Sequence, residues 1–342
     1  MIKNNNKNLY NQIVIVDGYS ANGKALISSY LQTFTRIQIM DVNTIFGQIG
    51  ALKYLNKIDK YSAINLLKIK ADTSLQNNVL SRNLNIRPFD ESSVFRSYNK
   101  INFFKNIFRS DGDNVSNYIN KDNPILHIMT HFSKPYVDFF FETFEKNLVF
   151  ISCIRHPVYF FDYWSQLIRK IHNKNPRLNF ILKNNKNTLI EVPWFFYPLS
   201  NYDNVDENNI GDVFINIYDW LETESNKSLK KLNNNYMSNV ITIPFERFIV
   251  NNVNYENQIS QILDVNSTNS TIKFNKKNKL NLGYFSDRKT TRKKNGFILN
   301  KITQETQNKY EKKLNKIKNS SKNNTFDKFL KLILDYEYKY DI

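Results

Sequence analysis

The chain has 342 residues, and its 48 Lys and Arg against 31 Asp and Glu give a formal charge of +17. This length is enough for a sizeable core in one α/β domain. A single cysteine, Cys153, excludes intramolecular disulfides and cysteine-based zinc sites. No apolar run reaches the ~18 residues of a membrane span, and the first residues lack the apolar segment of a secretory signal. We therefore expect a cytoplasmic protein without a membrane span, folded as a single domain over residues 1–342.

The basic charge favours an anionic partner. Lys and Asn are abundant throughout the chain while Ala and Gly are scarce, a bias that genome base composition also produces. A solvated surface accounts for most of these lysines. We therefore do not expect nucleic acid as a partner, and the composition leaves the oligomeric state open.

The first predicted unit is a strand, a loop and a helix. Residues 12–16, QIVIV, form a β-branched run that ends at a glycine-containing turn. The following stretch, ALISSYLQTF at 25–34, has its apolar residues at helical spacing. A second apolar run, RIQIMD at 36–41, predicts the next parallel strand.

Residues 44–120 are mostly polar and helical in pattern, and we interpret them as an insertion. Beyond them, PILHIMTH at 124–131 and NLVFISCIRHP at 147–157 are apolar runs of strand length. A helical stretch at 134–146 lies between them, and this order of strand, helix and strand predicts parallel pairing. A further helical pattern follows at 158–172.

The second half of the chain begins with a second expected insertion, residues 172–235. Its aromatic cluster at 191–199 either forms an acceptor pocket or packs against the body of the protein. A strand at 239–249, a helix at 254–265 and a basic loop at 273–296 follow, with amphipathic helices after them. Together these elements predict a three-layer α/β P-loop fold. Its central parallel sheet is flanked by helices and carries helical and irregular insertions.

The loop between the first strand and helix matches most of a phosphate-binding motif. Residues Gly18 to Lys24 follow the pattern G-x-x-x-x-G-K, but Ala25 replaces the Ser or Thr that holds magnesium in ATP and GTP enzymes. The backbone N–H groups of such a loop and the helix N-terminus favour an anion, and Lys24 adds a positive charge. A sulfuryl group carries less charge than a phosphoryl group. The substitution therefore favours a donor that is bound without metal, and we expect no metal site.

Polar residues follow three further predicted strands. His131, Arg155 and Glu246 each stand where an apolar run ends. In an open parallel sheet, ligands bind at the carboxyl ends of the strands. We therefore expect these residues and the Gly18 loop to contribute to one site.

Two segments resemble the central region of the sulfotransferases that use 3′-phosphoadenosine 5′-phosphosulfate. In that family a strand ending in Thr-His is followed by a strand ending in Arg-x-Pro. Here Thr130-His131 and Arg155-His156-Pro157 stand in this order, with 24 positions from His131 to Arg155. Three other segments are similar to the family's 5′-phosphosulfate loop, its later strand with an acidic residue, and its C-terminal Arg-Lys-Gly loop: GYSANGKALISSYL, NVITIPFERFIVN and SDRKTTRKKNG.

The resemblance implies a role for each matched residue. His131 would be the general base that takes the proton from an acceptor. Lys24 or Lys289 would supply catalytic positive charge, because Met129 stands where many family members carry a lysine. Arg155 would hold the 3′-phosphate with its planar guanidinium, and Tyr163 stands where the family usually has a phosphate-binding serine. The other residues implied to contact the donor are Tyr19, Ser20, Ala21, Asn22, Gly23, Ala25, Arg288 and Lys289.

The implied activity is transfer of a sulfuryl group from the phosphosulfate nucleotide to a hydroxyl or amine of a carbohydrate or small molecule. Two alternatives remain open from the residues themselves. One is a nucleoside or small-molecule kinase with Lys24 at the phosphates and Asp17 or Asp41 on magnesium. The other is a basic module that binds an anion or nucleic acid without chemistry. In a structural role, His131 would bond a carbonyl at the strand end and Arg155 would form a surface ion pair.

Overall fold

The structure is a computed structural model, and no helix among its described residues is both long and apolar enough to cross a bilayer. The described residues are 8–112, 114–172, 178–183, 187–202, 204–278, 280–281, 285–286, 296–297 and 304–342.

Nine strands and fourteen α-helices occur within these ranges, joined by short 3-10 turns. The strands are β1 Gln12–Gly18, β2 Asp41–Val42, β3 Ile125–Met129, β4 Leu148–Ile154, β5 Asn179–Lys183, β6 Leu189–Pro193, β7 Val240–Pro244, β8 Phe285–Ser286 and β9 Gly296–Phe297. The helices are α1 Lys24–Leu31, α2 Thr44–Tyr54, α3 Lys60–Val79, α4 Lys100–Asn106, α5 Asn114–Asp122, α6 Val137–Phe144, α7 Phe161–His172, α8 Ile210–Lys230, α9 Asn234–Met237, α10 Phe245–Val250, α11 Val253–Leu263, α12 Asn269–Asn278, α13 Gln304–Asn319 and α14 Asn323–Tyr340.

A five-stranded parallel sheet with the order β2-β3-β1-β4-β7 forms the centre of the fold. β1 pairs with β3 on one side and β4 on the other, so Ile15 lies between Ile128 and Phe150. β5 and β6 form a separate antiparallel pair, as do β8 and β9. The predicted α/β class, with a central parallel sheet flanked by helices, is confirmed.

The side chains of β1 alternate between two cores, one on each face of the sheet. Ile13 and Ile15 belong to a cluster with residues of α3 and α6, whereas Val14 and Val16 belong to a cluster with residues of α1 and α11. All four side chains are fully buried. A parallel strand that is covered on both faces reads as a continuous apolar run. The two cores produce the three predicted layers of helix, sheet and helix.

A third core lies beyond the carboxyl ends of β1, β3 and β4, and α8 contributes much of it. The sequence interpretation missed this helix, because it treated the Asn-rich region around it as an irregular insertion. Val213, Phe214, Ile217 and Leu221 are buried at helical spacing along 21 residues. The spacing of these four apolar residues was the sequence signal from which α8 could have been predicted. Whether 44–120 and 172–235 are insertions on a single domain stays a prediction.

The second predicted strand, 36–41, is wrong in its bounds. Ile37 makes one isolated bridge to Ile125, and the ladder with β3 is limited to Asp41–Val42. The side-chain amides of Asn78 and Asn99 donate to the carbonyl oxygens of Ile39 and Ile37, respectively. Amides from the 44–120 region therefore bind backbone groups that would otherwise be available to a longer ladder.

His127 in the middle of β3 provides a test of the core by pH. The side chain is fully buried, and burial lowers its pKa from 6.5 to about 4. Because the folded-state pKa is the lower one, the stabilisation is fully present above pH 6.5 and is lost as the pH falls toward 4. The loss should be about 3 kcal/mol of unfolding free energy.

Urea denaturation of wild type and His127→Leu at pH 7 and pH 4 measures this loss. Wild type should lose about 3 kcal/mol more than the variant, because leucine cannot take up a proton. Equal losses in the two proteins would show that His127 does not titrate as inferred.

Candidate active site

The sheet order brings three of the predicted strand ends together. Because β1 lies between β3 and β4, loop 19–23, His131 and Arg155 follow adjacent strands at the same edge. The pairing continues one residue past β3, where the Thr130 N–H donates to the Val16 carbonyl at 2.9 Å. The three segments therefore lie on neighbouring strands at the carboxyl edge of the sheet.

Asp17 is the penultimate residue of β1, and its carboxylate binds the segment that carries His131. One carboxylate oxygen accepts from the Thr130 hydroxyl at 2.7 Å, and the other accepts from the Lys134 N–H at 2.9 Å. The Ser133 N–H lies 3.0 Å from both oxygens. Asp17 is completely buried. The sequence interpretation missed this positioning role, and the available signal was an acidic residue inside an apolar strand.

Asp17 and Asp41, either of which could hold magnesium in the kinase alternative, both accept hydrogen bonds from the protein. Those of Asp17 are given above. One oxygen of Asp41 accepts from the Asn43 amide at 3.1 Å and from the Ser74 hydroxyl at 2.9 Å. Binding magnesium through either carboxylate would have to compete with these bonds.

The loop between β1 and α1 depends on the absence of side chains at two positions. A Cβ on Gly18 would lie 1.9 Å from the side-chain nitrogen of Asn22. Gly23 has φ 88°, and a Cβ there would lie 2.2 Å from the ring of Phe245. Ala21 also has a positive φ, 72°. The two glycines of the motif therefore allow a tight turn that packs against Phe245, the first residue of α10.

Asn22 is fully buried and its side chain points into the protein. The amide nitrogen donates to the Cys153 carbonyl at the end of β4. The amide oxygen accepts from the Lys24 N–H at 3.1 Å. Asn22 therefore ties the loop to β4 and bonds one N–H of the first turn of α1. Cys153 itself is buried, which raises the pKa of its thiol, and it is a structural residue.

Lys24 lies inside the loop, with only 4 % of its surface exposed. Its ammonium donates to the Gly18 carbonyl and lies 5.9 Å from the ring centroid of Phe132. Ala25, next along α1, is half-buried. The positive charge of the motif is thus placed where β1 ends and the loop begins.

Tyr19 and Ser20 both contact the aromatic core. Tyr19 does so with its side chain, and Ser20 with its backbone carbonyl. The buried Tyr19 hydroxyl donates to Glu222 at 2.7 Å, and its ring stacks on Phe132 at 5.6 Å. Burial, with the nearby Glu222 carboxylate, raises the pKa of Tyr19 well above its usual value. The Trp164 indole N–H donates to the Ser20 carbonyl at 3.0 Å. Tyr19 could therefore contact a bound nucleotide only through its backbone.

Arg155 is buried against the same loop, with 6 % of its surface exposed. Its guanidinium donates to the Ala21 carbonyl at 2.7 Å and lies 5.2 Å from the ring centroids of both Tyr159 and Phe245. A surface location for Arg155 is therefore excluded. The two rings fix the plane of the guanidinium beside the loop.

Glu246 and His156 connect the strand ends to the C-terminal helix α14. Glu246 accepts from the His156 N–H at 3.1 Å and from the Tyr336 hydroxyl at 2.9 Å. The His156 ring lies 3.0 Å from Glu337. Glu246 thus positions the segment after β4 and has a structural explanation.

The other predicted residues are placed as follows. His131 is half-buried, and its carbonyl accepts from the Ser133 hydroxyl at 3.3 Å. Tyr163 lies on α7 with 46 % of its surface exposed. Arg288 and Lys289 lie outside the described residues.

The aromatic cluster of the second insertion packs against the body of the protein. Trp194, Phe195 and Phe196 are buried, and the ring of Phe195 stacks on Phe132 at 4.9 Å with 13° between the planes. Of the two interpretations, packing therefore describes these three residues. The stack also supports the backbone next to His131.

No family model matches the chain, and no curated protein matches it. Among solved structures, the crystal structure of sulfotransferase STF9 from Mycobacterium avium is similar to this chain, with a TM-score of 0.37 and 10 % sequence identity. The match covers 79 % of this chain and 67 % of that protein. What the site can bind therefore has to follow from its own residues.

The fit of Gly23 against Phe245 can be tested with a matched pair of variants. Gly23 and Gly112 both have left-handed φ, 88° and 77°, but a Cβ on Gly112 would meet no atom within 4 Å. Alanine at either position should cost about 1–2 kcal/mol of unfolding free energy through backbone strain. Gly23→Ala should cost about 1–3 kcal/mol more, because the new methyl group overpacks the site.

Urea denaturation measures both losses. Adding Phe245→Leu to Gly23→Ala should reduce the excess loss, since the smaller side chain relieves the contact. Equal destabilisation by Gly23→Ala and Gly112→Ala would contradict the packing of the loop against Phe245.

Proposed function

We propose that this protein is a sulfotransferase. It would transfer a sulfuryl group from 3′-phosphoadenosine 5′-phosphosulfate to a hydroxyl or amine of a carbohydrate or small molecule. The observation that carries the proposal is the convergence of loop 19–23, His131 and Arg155 at one sheet edge, with Arg155 bonded directly to the loop at Ala21.

The loop would bind the 5′-phosphosulfate group. Its residues fit an anion because Gly23 opens α1 without a side chain, Ala25 adds only a methyl group, and the Lys24 ammonium already lies within the loop. A phosphate or sulfate oxygen would be a stronger acceptor for Lys24 than the Gly18 carbonyl, because hydrogen bonds between charged groups are stronger than neutral ones. Backbone amides of residues 19–25 other than those of Asn22 and Lys24, which are bonded within the loop, would complete the binding.

Arg155 would bind the 3′-phosphate. A guanidinium offers several donors in a plane, and the Tyr159 and Phe245 rings hold that plane beside the loop. Binding a second phosphate at this point would distinguish the donor from nucleotides that carry a 5′-group alone. Tyr163, Arg288 and Lys289 are proposed as further contacts to the same phosphate.

His131 would act as the general base. In the reaction, the acceptor oxygen or nitrogen forms a bond to sulfur while the bond from sulfur to the phosphate oxygen breaks. The electron pair of that bond leaves with adenosine 3′,5′-bisphosphate, and the acceptor proton passes to the His131 imidazole. Lys24 would balance the charge that develops on the departing phosphate oxygen. The contacts of Asp17 with residues 130, 133 and 134 fix the backbone on both sides of His131.

The proposal predicts how Arg155 discriminates between nucleotides. Wild type should bind adenosine 3′,5′-bisphosphate with EDTA present, and more tightly than it binds adenosine 5′-monophosphate. Arg155→Lys should weaken the bisphosphate by about 1.5–3 kcal/mol, because it removes charge-assisted hydrogen bonds, and should leave the monophosphate almost unchanged. Isothermal titration calorimetry measures all four affinities.

Arg169→Lys is the control, because Arg169 is a half-buried arginine of α7 whose ion-pair partner Glu207 lies 3.8 Å away. It should leave both affinities unchanged. Equal losses for the two nucleotides in Arg155→Lys would place Arg155 away from the 3′-phosphate. Tight magnesium-dependent binding of ATP, with none of the bisphosphate, would favour the kinase.

The proposal also predicts a loss of turnover without a loss of donor binding when His131 is replaced. His131→Gln should lower turnover by about 10²-fold to 10⁴-fold, because glutamine cannot accept the proton. Affinity for the bisphosphate should change less than about twofold, since the imidazole faces the acceptor.

The assay follows donor hydrolysis and transfer to a panel of sugars and phenols. Retained turnover in His131→Gln would assign His131 a structural role. Specific bisphosphate binding by a wild-type protein that transfers to no acceptor and hydrolyses no donor would favour the non-catalytic module.

A further inference from the structure

One side of the 44–120 region exposes a group of large apolar side chains. Six of them lie within 20 residues of sequence, and their exposed fractions range from 47 % to 89 %. We call these six side chains the apolar patch: Phe89, Phe95, Ile101, Phe104, Ile107 and Phe108. Single exposed apolar residues are common on protein surfaces, but a contiguous group is typical of an interaction site.

Contacts within the region bring the patch together. The Arg96 side chain donates to the Pro88 carbonyl at 3.1 Å, which brings the segment of Phe89 next to that of Phe95. The ring centroids of Phe95 and Phe104 are 6.5 Å apart. These contacts join the loop, the 3-10 turn at 94–96 and α4 into one surface.

Apolar side chains are exposed on α4 and on the turn that follows it. Ile101 and Phe104 are one helical turn apart on α4, and Ile107 and Phe108 lie in the turn directly after it. Phe103 is buried on the other side, in a small cluster with Ile39 and Val94. The inner residue anchors α4 to the protein, so the exposed residues belong to a fixed surface.

Basic side chains are interleaved with the patch. Arg96, Lys100 and Lys105 are exposed between its members, and Arg87, which pairs with Asp90 at 3.8 Å, is exposed just before the first of them. The same stretch, 87–105, contains two acidic residues, Asp90 and Glu91, so its four basic residues leave a net charge of +2. Long basic side chains beside exposed aromatic rings are typical of helices that lie in the interface of an anionic membrane.

We propose that the apolar patch docks the protein on an anionic lipid surface. The rings and aliphatic chains enter the boundary between headgroups and acyl chains, and the basic residues contact lipid phosphates. A second copy of the chain fits less well. Twofold pairing through the patch would place Lys100 and Lys105 of two molecules close together, and each chain carries +17.

Co-sedimentation with vesicles tests the proposal. Wild type should bind vesicles of equal parts phosphatidylcholine and phosphatidylglycerol, bind vesicles of phosphatidylcholine alone much more weakly, and dissociate at high salt. Phe104→Ser with Phe108→Ser should lower the partition coefficient by about tenfold or more, because two rings no longer enter the interface. Lys100→Glu with Lys105→Glu should lower it by about tenfold or more on the anionic vesicles.

Matched controls come from the C-terminal helices. Leu334→Ser with Tyr338→Ser removes two apolar side chains that are 63 % and 92 % exposed. Lys312→Glu with Lys331→Glu makes the same charge change at two other exposed lysines. Thermal unfolding of every variant, with and without adenosine bisphosphate, shows whether the fold and the nucleotide site remain intact.

Three results would overturn the proposal. The first is failure of wild type to bind the anionic vesicles. The second is an equal loss of binding in the patch variants and their controls. The third is a dimer in light scattering that dissociates in Phe104→Ser with Phe108→Ser while no vesicle binding occurs, which would assign the patch to a second copy.

Discussion

The candidate active site depends on the buried carboxylate of Asp17. Removing a charged group from water is unfavourable unless the protein supplies equivalent hydrogen bonds. Here those bonds come from one hydroxyl and two N–H groups of the segment after β3. The segment cannot leave β1 without exposing Asp17 or leaving it unpaired in the core. Phe132 within it has a positive φ of 57°, a conformation that a bulky residue rarely adopts and that the surrounding contacts must maintain. The position of His131 relative to the Gly18 loop is therefore fixed by β1 itself.

The loop packs on the aromatic core on one side and binds two cations on the other. Tyr19, Phe132 and Phe195 stack in series, and the Tyr19 hydroxyl and the Lys134 ammonium both contact Glu222. Lys24 and Arg155 donate to the carbonyls of Gly18 and Ala21. Both cations are therefore tied to the backbone of the same loop, where a bound anion would offer them charged acceptors.

Much of this arrangement follows from local sequence, because strands covered on both faces are apolar throughout and end abruptly. The Gly18 loop, His131 and Arg155 could be located in this way. α8 could not be recognised from composition, since Asn-rich segments surround its buried apolar positions. The shortened β2 depends on the amides of Asn78 and Asn99, which are distant in sequence from the carbonyls they bind. The structural roles of Asp17 and Glu246 likewise depend on partners that only the folded chain brings near. Sequence pattern thus predicts elements and their ends, whereas long-range polar pairing decides which end residues remain available to a ligand.

The two histidines on and after β3 show why the carboxyl end of the sheet is the place for acid-base chemistry. His127, in the strand, is fully buried, and desolvation lowers its pKa to about 4. A group in that position has no route by which an acceptor could reach it. His131 stands four residues later, two residues after the strand ends, and is half-buried. The difference arises where backbone pairing stops, because only there can an imidazole contact a substrate and exchange its proton with water. A parallel sheet brings several such ends to one edge, and in this chain a histidine, the Gly18 loop and an arginine follow the adjacent strands β3, β1 and β4.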